Sequence, residues 1–508
     1  MLQTKRTFFF GILLIVLSLV WARSSIVDAA DATSEQLQPL KVGAATCIIT
    51  PAVGSWQQGA GVTRKGERIR DGLEANALFL TDGQTRLLLI SCDLVALDLA
   101  TVSPIRDTIA TVAGIPPRQV IVTCTHTHSG PALIRTNYHI PVDKSYIDLL
   151  SQKLANVASD AVAAAKPAKI GWGRGTAQIG FNRRVCWADG THTMHGNTQR
   201  PVFAGMEGPD DPAHLAIFAV DEALKPIAVA YHNTSHPTNL YGAGLFSADY
   251  PDAARKIIRR ELGRIPVLYL NGAQGDINIA NQLNPLLEDP ESRLERIGEM
   301  LAKETLRLYR KAVFHSNILL GHTYEDLQVK VRLPEPKQLA DAQKVMERVK
   351  SGEKIMGQKL IFAFGTIELQ EQYGKQPIDT MPIHVLRIGD VALVTQPCEL
   401  YCQFGLDIKR RSPAPLTAVV GLADGYCGYC PTIAAILGGG YSGQPISWTR
   451  LEPYAGYHMV EAAGPMMNRL WREKRSEQYL GSRIGNDENI PSAVGSLADW
   501  QAGVMAAG

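Results

Sequence analysis

Val120-Ile121-Val122-Thr123-Cys124-Thr125-His126-Thr127-His128-Ser129-Gly130-Pro131 sets an apolar, β-branched run directly against a polar, turn-forming one. The first part reads as a buried strand and the second as the loop that leaves its end. The same rhythm recurs in the apolar runs 87–91, 215–220, 227–231, 266–270 and 391–395, with helical stretches such as 146–165 between them. This alternation predicts an α/β fold, a mixed β-sheet core flanked by helices in one large domain. Open α/β sheets hold ligands beyond their strand ends, so the loops after these runs are where chemistry is expected.

In the loop 125–131, His126 and His128 lie two residues apart, and an extended backbone would point both from one face. Imidazole is a favoured zinc ligand. The pair alone fits a surface or hydrogen-bonded histidine pair equally well. His236, after the run 227–231, offers a further imidazole. His232 stands four residues before it, but Asn233 occupies the place a helical zinc-protease motif gives to glutamate, and the segment reads as a strand. Taken singly, His236 is as well read as structural.

The segment Asn271-Gly272-Ala273-Gln274-Gly275-Asp276-Ile277-Asn278 follows another strand and matches neither a dinucleotide fingerprint nor a phosphate-binding loop. It reads as a tight turn capped by Asp276. Glu399, in Pro397-Cys398-Glu399-Leu400, is either a hard ligand or the start of the next helix. The loop 421–432 carries Tyr426 and Tyr429 among small residues, and Gly438, Gly439 and Gly440 precede Tyr441.

The chain of 508 residues is 45% hydrophobic and 20% charged, a globular composition. Fifty-one basic against 49 acidic residues leave a net charge of +2, which provides no general field for nucleic acid. Lys5 and Arg6, an apolar run from Phe8 to Trp21 and small residues to Ala30 predict a signal peptide over 1–30 and an exported protein, soluble or in peripheral contact with a membrane. Eight cysteines are too few to staple a chain of this size. Cys398, Cys402, Cys427 and Cys430 fit a structural zinc site by spacing, and fit a disulfide or buried thiols as well. The Lys/Glu/Gln-rich residues 334–376 read as an exposed helical insertion and 471–508 as a tail, leaving 31–470 as the main domain.

Taken in order, the motifs at 125–131, Asn182-Arg183, His236-Pro237-Thr238, Gly275-Asp276, Pro397-Cys398-Glu399 and Gly428-Tyr429-Cys430-Pro431-Thr432 resemble the N-terminal catalytic domain of the neutral/alkaline, non-lysosomal ceramidases. The resemblance runs from about Val42 to Leu470. It implies an amidase that cleaves an N-acyl amide lipid such as ceramide, using one zinc ion. It implies His126, His236, Glu399 and Tyr429 as zinc ligands, and His128, Arg183 and Tyr441 as groups acting on the scissile carbonyl. Two departures stand out. The family carries a serine two residues after Gly-Asp where this chain has Asn278, and its immunoglobulin-like C-terminal domain has no counterpart in the sequence. A hydrolase of the same fold acting on another amide or ester, and a metal-containing binding protein without turnover, are the alternatives.

Overall fold

The computed structural model describes residues 39–59 and 64–472. The expected signal peptide over 1–30, and the expected tail beyond 472, lie outside the described residues. Among the described residues no helix is long and apolar enough to cross a membrane.

Two sheets make the core. The larger has eight strands, in the spatial order Val267–Asn271, Pro226–Asn233, Ala213–Asp221, Lys166–Thr176, Lys41–Ile48, Glu74–Thr81, Arg86–Cys92 and Val120–Cys124. Its two outer pairs, Val267–Asn271 with Pro226–Asn233 and Arg86–Cys92 with Val120–Cys124, are parallel, and its inner pairs are antiparallel. The smaller sheet orders Leu320–Lys330, Ile378–Ile388, Val391–Thr395 and Leu416–Val420, the last pair parallel. The expected mixed sheet flanked by helices is found, with a second sheet stacked on it.

The sheets meet through one apolar layer that joins Leu78, Leu89, Ile121 and Leu268 of the larger to Leu386, Leu393 and Val420 of the smaller. Helices cover both outer faces. Leu99–Ala113 and Lys144–Ala163 pack one half of the large sheet, and Tyr250–Leu262 and Pro290–Lys311 pack the other. Cys402–Arg411 and Ala455–Arg472 cover the small sheet. Strands buried on both faces carry near-continuous apolar runs, which is why 120–124 and 391–395 stood out in the sequence.

The parallel pairs matter for function. Val120–Cys124, Pro226–Asn233, Val267–Asn271, Val391–Thr395 and Leu416–Val420 are followed by the segments holding His126, His236, Asp276, Glu399 and Tyr429. The ends are tied across the layers: Cys124 N donates to Leu422 O and Gly421 N to Asn271 O.

Residues 334–376 form a helical hairpin, Pro336–Lys350 and Gln358–Tyr373, inserted between two strands paired from Leu320↔Ile388 to Lys330↔Ile378. The expectation of an exposed insertion describes its first helix. The second buries Leu360, Ala363, Phe364 and Leu369. A Cβ at Gly365 would lie 2.9 Å from the Trp448 ring, so glycine lets this helix dock against 446–448.

Candidate metal centre and active site

The chain leaves Val120–Cys124 and turns at His126, whose φ of 69° is left-handed. Such a conformation is uncommon outside glycine. His126 N donates to Leu94 O, which holds the turn. The extended backbone expected of His126-Thr127-His128 is therefore not what brings the two rings together. A sharp turn does, and the rings meet edge to face with centroids 4.7 Å apart. His128 N donates to Pro237 O, tying this loop to the one that carries His236.

Each imidazole is oriented by a main-chain carbonyl. His126 Nδ1 lies 2.7 Å from Val95 O, His128 Nδ1 2.8 Å from Gly59 O, and His236 Nδ1 2.8 Å from Ile277 O. A carbonyl only accepts, so every Nδ1 carries its hydrogen and every Nε2 turns inward. There His126 Nε2 and His128 Nε2 stand 3.2 Å apart, and Glu399 Oε2 lies 3.4 Å from His126 Nε2 and 3.1 Å from His236 Nε2. Two facing nitrogen lone pairs beside a carboxylate call for positive charge between them, either a proton or a metal cation. The ligand nitrogens of His126, His128 and His236 lie within 4.8 Å of one another, a group that could hold a metal ion.

Glu399 is not the start of a helix. It sits in the strand Cys398–Leu400, paired in parallel with Gly428–Cys430, and Tyr429 is its register partner. Its other oxygen, Oε1, accepts from Tyr426 Oη at 2.8 Å. Burial acts to raise the Glu399 carboxyl, and the imidazoles of His126 and His236 more than reverse this, holding it well below the usual carboxylate range. Burial and then the Glu399 charge push the Tyr429 phenol well above its usual value.

Arg183 reaches the same point. Its backbone N donates to Asp276 O, and its Nη2 lies 2.9 Å from Gly275 O, 3.2 Å from Tyr429 Oη and 3.0 Å from His236 Nε2. A guanidinium and a metal would compete for the His236 lone pair. Holding a metal there requires Arg183 to keep only Gly275 and Tyr429. With that adjustment the donor set fits zinc, which takes imidazole nitrogen and carboxylate oxygen as ligands.

Tyr441 stands beside Tyr429, with ring centroids 5.6 Å apart. Burial, with Glu399 next in effect, pushes its phenol up to about 12, so it remains a hydrogen-bond donor. Of the glycines before it, Gly439 and Gly440 occupy left-handed backbone, at φ 74° and 80°, and a Cβ at Gly440 would lie 2.5 Å from His192 O. They permit a tight turn. Asn278, at the family's serine position, accepts from Ile279 N and Thr238 Oγ1.

The structure thus brings His126, His128, Arg183, His236, Glu399, Tyr429 and Tyr441 to one place. Tyr426 and the apolar wall were missed as site residues. Ile134, Ile140, Ile361 and Phe362 line a cavity of about 210 Å³ together with His126 and His128. Ile361 and Phe362 come from the inserted hairpin, whose apolar cluster 360–364 was the available signal. The eight cysteines are free thiols, and Cys398, Cys427 and Cys430 pack in the apolar core beneath Glu399 and Tyr429.

No protein-family model matches the chain, and no curated protein sequence does. Solved structures do. The crystal structure of neutral ceramidase from Pseudomonas aeruginosa superposes with a TM-score of 0.66 at 16% identity, over 86% of this chain and 75% of that one. A structure of ceramidase complexed with C2 gives the same score and identity, over 86% of this chain and 76% of the other. The chain has the neutral ceramidase fold. On that fold the candidate site lies where the parallel strand pairs of both sheets end, and the low identity explains why short motifs in order carried the likeness that whole-sequence comparison does not.

Proposed function

We propose that this protein is an exported, zinc-dependent amidohydrolase of the ceramidase type that cleaves an N-acyl amide with water. The observation that carries the reading is the convergence of His126 Nε2 and His236 Nε2 on Glu399 Oε2, at 3.4 and 3.1 Å, with both Nδ1 atoms locked by carbonyls. His126, His236, Glu399 and Tyr429 are the residues that would hold the ion. Zinc bound there supplies Lewis acidity toward a carbonyl and lowers the pKa of water to about 7.

The protein's own groups supply the rest. His128 is oriented by Gly59 O, which accepts its Nδ1 hydrogen. Its Nε2 is left to accept a proton from the attacking water and return it to the leaving amine. Tyr441, protonated, and Arg183, always charged, are donors for the oxygen that gains charge in the tetrahedral intermediate. The reaction adds OH to the acyl carbon and H to the nitrogen as the C–N bond breaks. None of these roles needs a hydroxyl at position 278, so Asn278 in place of serine does not weigh against turnover.

Elemental analysis of the purified protein, with His236→Ala and Glu399→Ala beside it, tests this. About one zinc per chain in the wild type and almost none in the variants is expected. A wild type that binds no zinc when supplied with it overturns the reading.

A further inference from the structure

Ligand pockets in proteins usually measure about 300–1,000 Å³. The site cavity, at about 210 Å³, is too small by itself. A second, open chamber of about 670 Å³ adjoins it, and Ile134, Thr136, Tyr426 and Trp448 line both. Tyr426 is the residue that donates to Glu399, so the chamber begins one side chain away from the proposed metal. No role in the chemistry above uses it.

The two spaces differ in character. Around the site cavity, Ile140, Ile361 and Phe362 offer an apolar wall suited to a short acyl chain. The chamber offers the rings of Tyr373 and Trp448 with Ser103, Thr136, Gln372 and Ser447. Ser447 is only 7% exposed, and its Oγ has no hydrogen-bond partner. A buried hydroxyl left unpaired is unfavourable, and a ligand hydroxyl would restore its hydrogen bond where a hydrocarbon would not.

Charge narrows the ligand further. Arg450 is paired with Asp379 at 2.7 Å, Arg135 with Glu368 at 3.2 Å, and Asp98 caps a helix by accepting from Thr101 N. Both guanidiniums in the chamber wall are paired with carboxylates, so no unpaired cation there calls for an anionic ligand. Aromatic side chains with neutral hydrogen-bonding groups around them suit a ring carrying several hydroxyls.

We propose that this chamber takes the amine half of the substrate, and that this half is a neutral, hydroxyl-rich group of sugar-like chemistry and not a long-chain base. The inference rests on the amidohydrolase reading for its orientation, but the chamber's ligand chemistry can be tested apart from turnover.

The test compares three amides with one acyl group: N-hexanoyl-glucosamine, N-hexanoyl-hexylamine and N-hexanoyl-sphingosine. The zinc-loaded full chain should favour the first by about tenfold or more in kcat/KM, as expected where a site hydrogen-bonds substrate hydroxyls. Ser447→Ala and the chamber-filling Ser103→Leu should each shrink that preference, chiefly through KM. Calorimetric titration with N-acetylglucosamine reads the chamber directly. Saturable binding that Ser103→Leu weakens supports the chamber even if no amide is cleaved, an outcome that sinks only the hydrolase reading. A preference for the sphingosine amide, or no saccharide binding together with an unaltered preference in both variants, overturns the inference.

Discussion

Glu399 lies opposite Tyr429 across two three-residue parallel strands, and the hydroxyl of Tyr426, three residues before Tyr429, holds the Glu399 oxygen that faces away from the histidines. One short ladder therefore sets both oxygen ligands proposed for zinc and their supporting hydrogen bond. Its strands leave the parallel pair Val391–Thr395 and Leu416–Val420, so the small sheet aims the oxygens while the large sheet aims the imidazoles.

Tyr426→Phe removes the Tyr426–Glu399 hydrogen bond and leaves the ring. Losing a partner that orients a ligand costs about 10–100-fold in metal affinity or activity. A chelator-competition titration should show zinc affinity falling within that range, with the far-UV spectrum unchanged. Unaltered affinity would remove Tyr426 from the metal's support.

Tyr441→Phe tests the oxyanion role. The side chain is protonated, buried and close to Tyr429, and removing one such donor costs about 10²–10³ in kcat. The expected result is that drop with little change in KM and full zinc content. Loss of zinc instead would make Tyr441 a ligand.

Much of this was legible before the structure. Runs such as 120–124 and 391–395 are buried on both faces, and that burial writes itself as continuous Val, Ile and Leu. The residues after them were legible because strand ends gather chemistry. The left-handed turn at His126 was not, because its cause is a hydrogen bond to Leu94, distant in sequence. Nor was the pairing of Glu399 with Tyr429, since three-residue strands carry no periodicity. The role of Phe362 depended on the docking of its helix against 446–448, which Gly365 permits and only the fold reveals.

Gly275 shows how close the layers come. Its N donates to Leu400 O at 2.8 Å, and a Cβ there would sit 2.3 Å from Glu399 O. That neighbour is backbone and cannot swing aside. Gly275→Ala should cost about 1–3 kcal/mol as overpacking and lower zinc content by displacing the Glu399 strand. Gly464→Ala, in the helix Ala455–Arg472 with open space at its Cβ, should be neutral or stabilising by up to about 1 kcal/mol. Denaturant midpoints and zinc content of the two variants check the contrast, and equal behaviour would show the ladder to be compliant.

Asp276 gives the fold a pH dependence of its own. It accepts from Cys402 N and from Asn182 Nδ2, each at 2.7 Å, and its backbone O holds Arg183 N. Burial pushes its carboxyl up to about 7. An unfolded chain titrates near about 3.9. Between those values the native state holds the proton and the unfolded state does not, so stability falls as pH rises from about 4 to 7, by a few kcal/mol on the order of magnitude. Asp276→Asn cannot ionise, so this decline should be absent from its profile, although its amide replaces one of two acceptors by a donor and costs about 1–3 kcal/mol at pH 4. Urea midpoints from pH 4 to 8 should start lower in the variant and converge with the wild type. Parallel profiles would mean that Asp276 is already ionised in the native state, with a cation or an unseen donor beside it.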